Sequence, residues 1–593
     1  MAAWLVLLSD SPLGSKPRRG VSKFSRQLSE DYVGTTRRLA SMAITVMKCW
    51  TWSGSGLQNS LDYLEVKNTP IAKEIISLYR TPKPAVLRYV LTFLSFGKKK
   101  ETDESDRELL EGEALRKWLA LEQRLSNLSL PEDLGDVRII IAELLLPYWD
   151  PVPLPIHGSG AVSHSEAHSL NEKHTDMGFS QSVCDLFGDL GYNPASYVPE
   201  SSGWWSTGHC DTRSTLLFVP KDVSNVRSIC MEVPVLQWAQ QSIRYTLEDA
   251  IEKSPLSRFI RIKDQSYNRD AARWGSLFSH TDTIDLSSAS DSVSWALGKR
   301  IFPLPMLRAL SATRSKVVSL PNGTDFKLSK FAPMGSAVCF PIQSIIYCAL
   351  VLREYHYMFL GKTITPSSIH SLLAIINDDG YESISGLGSV RVYGDDIVCD
   401  SRVTQSLIQT LDSLGFTVNT GKSFTMNSAF RESCGGFYLA SNDVTPYILK
   451  LKSVESTLTA SLLAGLLDAS NRAYDYGYNR LRHFLLTAAH YYNDRKPGAI
   501  PRPLWYDPRG IKGDPVVQAS IRTRSYPNTN PENTASLYQR DEGRFMVVKS
   551  RSKHEHRDDV YSYVAWQRSP YTSDEPLLVS EDSPREHELR IDW

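Results

Sequence analysis

An α+β fold follows from three features of this chain. Both flanks carry apolar residues at helical spacing. The middle, from about 215 to 450, alternates short β-prone runs with helical stretches, and Gly or Pro breaks punctuate that middle. At 593 residues the chain is far longer than one core needs, so several subdomains around a cleft are expected.

The first 150 residues read as mostly helical. Ala2-Ala3-Trp4-Leu5-Val6-Leu7-Leu8 is apolar, lacks a basic region before it, and falls far short of the ~20 residues that span a bilayer, so it reads as a buried strand or helix start. Glu108 to Leu130 sets Leu109, Leu110, Leu115, Leu119, Leu121 and Leu125 among charges at a roughly helical period. Lys98-Lys99-Lys100 just before it could touch phosphate but reads first as a solvated loop. His157, His164, His168 and His174 are irregularly spaced in a Ser- and Gly-rich stretch, which suits a surface loop better than a metal site. Beyond 450, Leu458 to Leu467 and Tyr474 to Tyr492 read as helices, and the last ninety or so residues as irregular.

Composition excludes little. There are 66 basic and 66 acidic residues, so a nucleic-acid partner would need its cations sorted onto one surface. None of the eight cysteines makes a C-x-x-C pair, which argues against a zinc knuckle and for reduced thiols.

Five short segments carry the chemistry. Val392-Tyr393-Gly394-Asp395-Asp396-Ile397-Val398 reads as a β-hairpin with Gly-Asp at its turn. Adjacent carboxylates repel, and a divalent cation would resolve the conflict; a plain solvated turn is the alternative. Earlier, Ile284 and Leu286 would flank Asp285 on a short strand, turning its carboxylate to the opposite face. Asp is disfavoured in strands, and a magnesium ion shared with Asp395 would explain it. A helix beginning near Ser290 would place Asp291 at its start, as a cap or as a site residue. Pro333-Met334-Gly335-Ser336 enters an apolar helical stripe of Ile342, Ile345, Ile346, Ala349 and Leu352; Gly335 allows close backbone approach and Ser336 offers a hydroxyl. Lys221 and Arg227, followed by Glu232, could hold a triphosphate. Lys422, ahead of the Gly-rich Phe430 to Gly436, could protonate a leaving pyrophosphate.

In this order the segments resemble the viral RNA-dependent RNA polymerases, and most closely the replicase subunit of levivirus-type single-stranded RNA phages, with the narnavirus and mitovirus polymerases as a related lineage. The resemblance rests on Asp264-Gln265-Ser266-Tyr267-Asn268, on Ile284 to Ser294, on Met334-Gly335-Ser336, on Tyr393 to Ile397 and on Phe430 to Pro446, and covers about 215–450. It implies a right hand: an antiparallel palm sheet with helical fingers and thumb. The N-terminal region and fingers would take 1–214, a basic nucleotide-contacting fingers segment 215–275, the palm 276–450, and the thumb and C-terminal region 451–593.

The resemblance further implies template-directed RNA synthesis from ribonucleoside triphosphates, replicating and transcribing a positive-strand phage genome. Asp285, Asp395 and Asp396 would bind two Mg2+ ions (Mn2+ as a substitute), with Asp396 the more peripheral. Lys422 would join them as a catalytic residue. Lys221 and Arg227 would hold the triphosphate, while Asp291, Gly335 and Ser336 would line the nucleotide site near the ribose; several phage relatives carry Asn at the Ser336 position. Implied partners are RNA, ribonucleotides, the host elongation factors Tu and Ts and a ribosomal protein, in a bacterial cytoplasm with no membrane. A reverse transcriptase is the rival enzyme, opposed by Gly394 and by the polar Ser287-Ser288-Ala289-Ser290-Asp291, where a deoxynucleotide enzyme would want a bulky block. A non-enzymatic RNA-binding or virion protein is the rival of another class.

Overall fold

The computed structural model describes residues 2–14, 21–50, 66, 69–81, 83–100, 104–152, 157–158, 160–163, 173, 180–191, 212–376, 390–426, 428–450 and 460–494, and the short strands 535–539, 545–550 and 586–588. Three of the four histidines (His164, His168 and His174) and most of the C-terminal ninety residues lie outside them. No described helix is long and apolar enough to cross a membrane.

The α+β expectation holds. The central sheet runs β3 (Thr281–Ile284), β8 (Asp396–Asp400), β7 (Val390–Tyr393), all antiparallel. A second sheet has the order β2-β1-β5-β6: Asn225–Met231, Ser214–Asp222, Val317–Ser319 and Asp325–Lys327. In it β1 and β2 form a hairpin, and β1 meets β5 in parallel. A third is built from β10 (Phe430–Ser433), β11 (Gly436–Leu439) and β12 (Asn442–Asp443). The short strands β4 (Leu286–Ser287) and β9 (Thr417–Val418) pair beside the central sheet.

Helix Cys339–Phe359 follows the Met334-Gly335-Ser336 loop as expected, but it is not amphipathic. Every residue from Pro341 to His356 is buried, including Gln343, Arg353, Glu354 and His356. On this helix Phe340, Ser344 and Tyr355 meet the β7–β8 hairpin, and helices Gly135–Leu145, Pro234–Lys253, Pro366–Ile375 and Thr404–Ser413 also pack against it. Partners make the polar burial tolerable. Arg353 pairs with Asp133 at 2.5 Å, and Glu354 accepts from Thr410 at 2.9 Å.

The helices of the first hundred residues do not join that central core. Trp4, Phe24, Val46, Leu87 and Phe93 share a second core with Phe424, Phe430, Tyr447, Leu466 and Leu481. The run from Ala2 is a helix, Ala2–Leu7, with Trp4 and Leu7 inside. The expected helix over Glu108 to Leu130 is Glu104–Ser126. After 459 the two helices are Ala460–Asp475 and Asn479–Asp494, so the second begins later than Tyr474. Gly477, at φ +74°, supplies the left-handed residue that ends the first.

Candidate active site

The Gly-Asp turn forms as its sequence demands. Tyr393 pairs with Asp396, leaving a two-residue loop of Gly394 and Asp395. Gly394 has φ +61°, as a II′ hairpin requires at its first central position. Its amide donates to Ser344 Oγ at 3.0 Å, and a Cβ there would lie 2.6 Å from the Phe340 ring. The turn is therefore seated on helix Cys339–Phe359.

Asp285 stands beside this turn because β3 pairs with β8 in the register Ile284↔Ile397. Ile284 and Leu286 are buried on either side, as expected, but Asp285 is not in mid-strand; it is the break between β3 and β4. The break has a hydrogen-bonding cause. The Asp285 amide donates to Ser423 Oγ (3.0 Å), and its carbonyl accepts from the Asn419 amide (2.8 Å), so neither is left for β8. Asn419 Nδ2 also donates to Asp285 Oδ2 at 2.6 Å. Burial raises the Asp285 carboxyl above its usual range; Lys422 opposes the rise and Asp395 adds to it.

Asp396 is held from behind. The hairpin β10–β11 turns through Cys434 and Gly435, both with positive φ, the I′ form. That turn aims the Cys434 amide at Asp396 Oδ1 (3.1 Å), and Ser433 Oγ donates to the same oxygen at 3.4 Å. Burial pushes the Asp396 carboxyl up to about 6; the Cys434 amide works against the rise, and the charges of Asp395 and Asp285 reinforce it.

Lys422 lies 3.9 Å from both Asp285 Oδ1 and Glu432 Oε1. Burial alone would lower its ammonium, but Glu432, Asp285, Asp396 and Asp395 together outweigh that and raise it. Glu432 itself is pushed up to about 7 by burial, against the pull of Lys422.

Lys221 and Arg227 sit on facing strands, with Val219 opposite Arg227. Desolvation lowers the Lys221 ammonium, and the neighbouring charges of Arg227 and Lys422 lower it further. Glu232 does not join them. It is buried and accepts from Ser315.

Asp291 lies in the short helix Ala289–Ser292, close to the expected start. Its Oδ1 meets Lys330 Nζ at 3.2 Å and its Oδ2 accepts from Ser228 at 3.2 Å. Lys330 is wholly buried, 3.8 Å from Glu122 and over the Trp118 ring. Gly335, at φ +117°, approaches backbone closely, and that backbone is β2: a Cβ would stand 2.1 Å from the Cys230 carbonyl oxygen. Ser336 Oγ and the Ala337 amide both meet Gln240 Oε1 at 3.1 Å.

Asn419, Glu432, Cys434, Lys330, Glu122 and Gln240 went unassigned in the sequence. Only Glu432 and Cys434 had a signal there, through their place in the Phe430 to Gly436 string.

No three acidic, histidine or cysteine side chains among the described residues are gathered tightly enough to cage an ion. Magnesium does not require a cage; one or two carboxylates with waters and substrate phosphates are its usual set. The hard oxygens of Asp285 and Asp395, beside the partly engaged Asp396, fit that donor chemistry.

Residues 204–363 and 383–464 match the family described as RNA replicase, beta-chain. The RNA-directed RNA polymerase subunit beta of Enterobacteria phage SP is 32% identical over 239 residues, 40% of this chain and 36% of that one. Its counterpart from Escherichia virus Qbeta is 31% identical over 236 residues, 40% and 35% of the two chains. The RNA-directed RNA polymerase beta chain of Escherichia phage MS2 is 29% identical over 245 residues, 41% and 39%. The match thus spans little more than a third of these relatives' length. Over that stretch the chain is similar to the RNA-phage replicase beta chains, in line with the motifs.

Proposed function

We propose that this chain, homologous over its centre to the replicase beta chains of RNA phages, is an RNA-directed RNA polymerase. The observation that carries the reading is the meeting of Asp285, at the β3–β4 break, with the Gly394-Asp395-Asp396 turn. Two segments about 110 residues apart in sequence place acids side by side, with Lys422 against one of them.

On this reading the central sheet is the palm, the β1–β2 hairpin belongs to the fingers, and helices Ala460–Asp475 and Asn479–Asp494 form part of the thumb. Asp285 and Asp395 hold magnesium, and Asp396 supports from its tethered position. Magnesium bound there would neutralise the triphosphate and make the attacking 3′-hydroxyl more acidic. The protein's own work is positioning and electrostatics. Asn419 and Ser423 fix Asp285. Cys434 and Ser433 fix Asp396. Lys221 and Arg227 orient the triphosphate, so that the 3′-oxygen lies in line with the α-phosphorus and the pyrophosphate departs toward Lys422, which can give it a proton. Asp291 and the Met334-Gly335-Ser336 loop flank the ribose. The partners are RNA and ribonucleotides, and the host factors Tu and Ts and a ribosomal protein are candidates by the same kinship.

Asp395→Asn should abolish magnesium-dependent incorporation of labelled ribonucleotide on an RNA template while RNA binding is retained. Incorporation at the wild-type rate would refute the assignment. A preference for deoxynucleotides would favour a reverse transcriptase instead, and RNA binding with no synthesis by the unaltered chain would favour a binding protein.

A further inference from the structure

The rim of this site receives cations from a part of the chain that none of the five segments covers. The tip of the β1–β2 hairpin is held by the N-terminal region at three points. Arg37 Nη2 donates to the Ser224 carbonyl at 3.3 Å. The Val223 amide donates to the Lys98 carbonyl at 2.9 Å. Lys99 Nζ donates to the Lys221 carbonyl at 2.6 Å. Lys100 turns the other way and lies over the Tyr32 ring. Lys98 and Lys99 are thereby brought to Lys221 and Arg227.

This gathering needs an explanation. Like charges destabilise one another at short range. The Lys99 ammonium is lowered by desolvation, relieved by Asp222 and lowered again by Lys98, Arg227 and Lys221. Asp222, the carboxylate at the hairpin tip, already accepts from the Ser224 amide and from Asn225. The charge of Lys98 also reaches Glu432, inside the site. A polyanion seated between the lysine turn and the acids would turn this repulsion into attraction.

We propose that Lys98 binds the triphosphate of the incoming nucleotide, with Lys99 the residue that ties its turn to the hairpin. This rests on the polymerase reading. A nucleotide triphosphate, rather than the RNA backbone, is the occupant because Lys99 is bonded to Lys221, whose charge reaches Asp285 and Lys422, and Lys98's reaches Glu432, beside where the β- and γ-phosphates of a reacting nucleotide must lie. A compact, multiply charged anion also suits converging lysines, which act as point charges.

Two measurements on the full chain test it. In the first, lysine acetylation is followed by mass spectrometry without RNA. Inorganic tripolyphosphate should slow modification of Lys98 several-fold and leave Lys100 unchanged; protection by RNA but not by tripolyphosphate would overturn the proposal. In the second, Lys98→Ala should raise the KM for nucleotide about tenfold, the scale of one hydrogen bond to a charged group, with kcat and RNA affinity little changed. Lys98→Arg should restore most of the loss. An unchanged KM in an active enzyme would sink the Lys98 assignment alone. Absence of synthesis by the unaltered chain would sink the polymerase reading, while tripolyphosphate protection would still establish the anion site.

Discussion

Gly335→Ala isolates the contact that seats the Met334-Gly335-Ser336 loop. Two effects add. First, φ +117° is a backbone conformation that L side chains rarely adopt, and positive φ costs roughly 1–2 kcal/mol. Second, the new methyl would stand 2.1 Å from the Cys230 carbonyl oxygen and 3.1 Å from the Ile229 side chain. The first of these is a backbone atom on the buried side of β2 and cannot swing away, so the loop must lift. Lifting strains the Cys230 amide bond to the Met334 carbonyl (2.8 Å), worth about 1 kcal/mol. Overpacking adds about 1–3 kcal/mol. The sum is about 3–6 kcal/mol, in the exceptional tail for a single methyl group. Gly323→Ala provides the control. Gly323 has φ +81° and open space around its Cβ direction, so only the backbone penalty applies there. Urea midpoints compared at constant slope measure both variants, and hydrogen exchange at the Cys230 amide reports the local bond. If Gly335→Ala loses no more stability than Gly323→Ala, the close approach to β2 is not what fixes the loop.

Two further outcomes follow from buried charge. Lys330→Met strands Asp291 and Glu122 without their cation and should cost about 3–5 kcal/mol, part of it recovered by adding Glu122→Gln; thermal unfolding within 1 kcal/mol of wild type would refute this. Glu432, folded at about 7 against an ordinary 4.5, favours the fold when protonated. Its contribution is complete below about pH 4.5 and is lost as pH rises through about 7, while Asp396 acts in the same sense from 3.8 through about 6. Without magnesium, urea midpoints should therefore fall between pH 5 and 8, and less steeply in Glu432→Gln. An equal slope in that variant would show that Glu432 does not titrate in this window.

What the sequence disclosed is what local rules govern. Gly394-Asp395 is legible as a turn because the first position of a two-residue hairpin loop at positive φ accepts few residue types. Asp285 stood out because a strand rarely carries Asp between two buried apolar residues. Contacts made across the fold left no such trace. Asn419 is an ordinary polar residue until β4 and β9 pair and bring it to Asp285. Lys330 looks like any surface lysine in Lys327 to Lys330, yet Trp118 and Glu122 from a distant helix enclose it. The stripe on helix Cys339–Phe359 marked one apolar face correctly. It could not show that other helices would cover the polar faces too, because periodicity records a contrast between faces and not what lies beyond them.

The second core joins residues near the start of the chain to residues from 424 on, with the Gly394-Asp395-Asp396 turn encoded between them. A ribosome adds about 5–20 residues per second, so the late half of this core, from Phe424 on, emerges on the order of twenty seconds to a minute after the early half. For that interval an aromatic cluster is only half enclosed, and its completion waits on the whole central sheet. Seams close late where Ala429 meets Trp50 and Leu449 meets Phe96, and later still where the Arg480 and Leu481 amides meet Asp10. A chain cut short before Ala429 would have made Asp285, Asp395 and Asp396 and still lack the Ser433 and Cys434 wall behind Asp396.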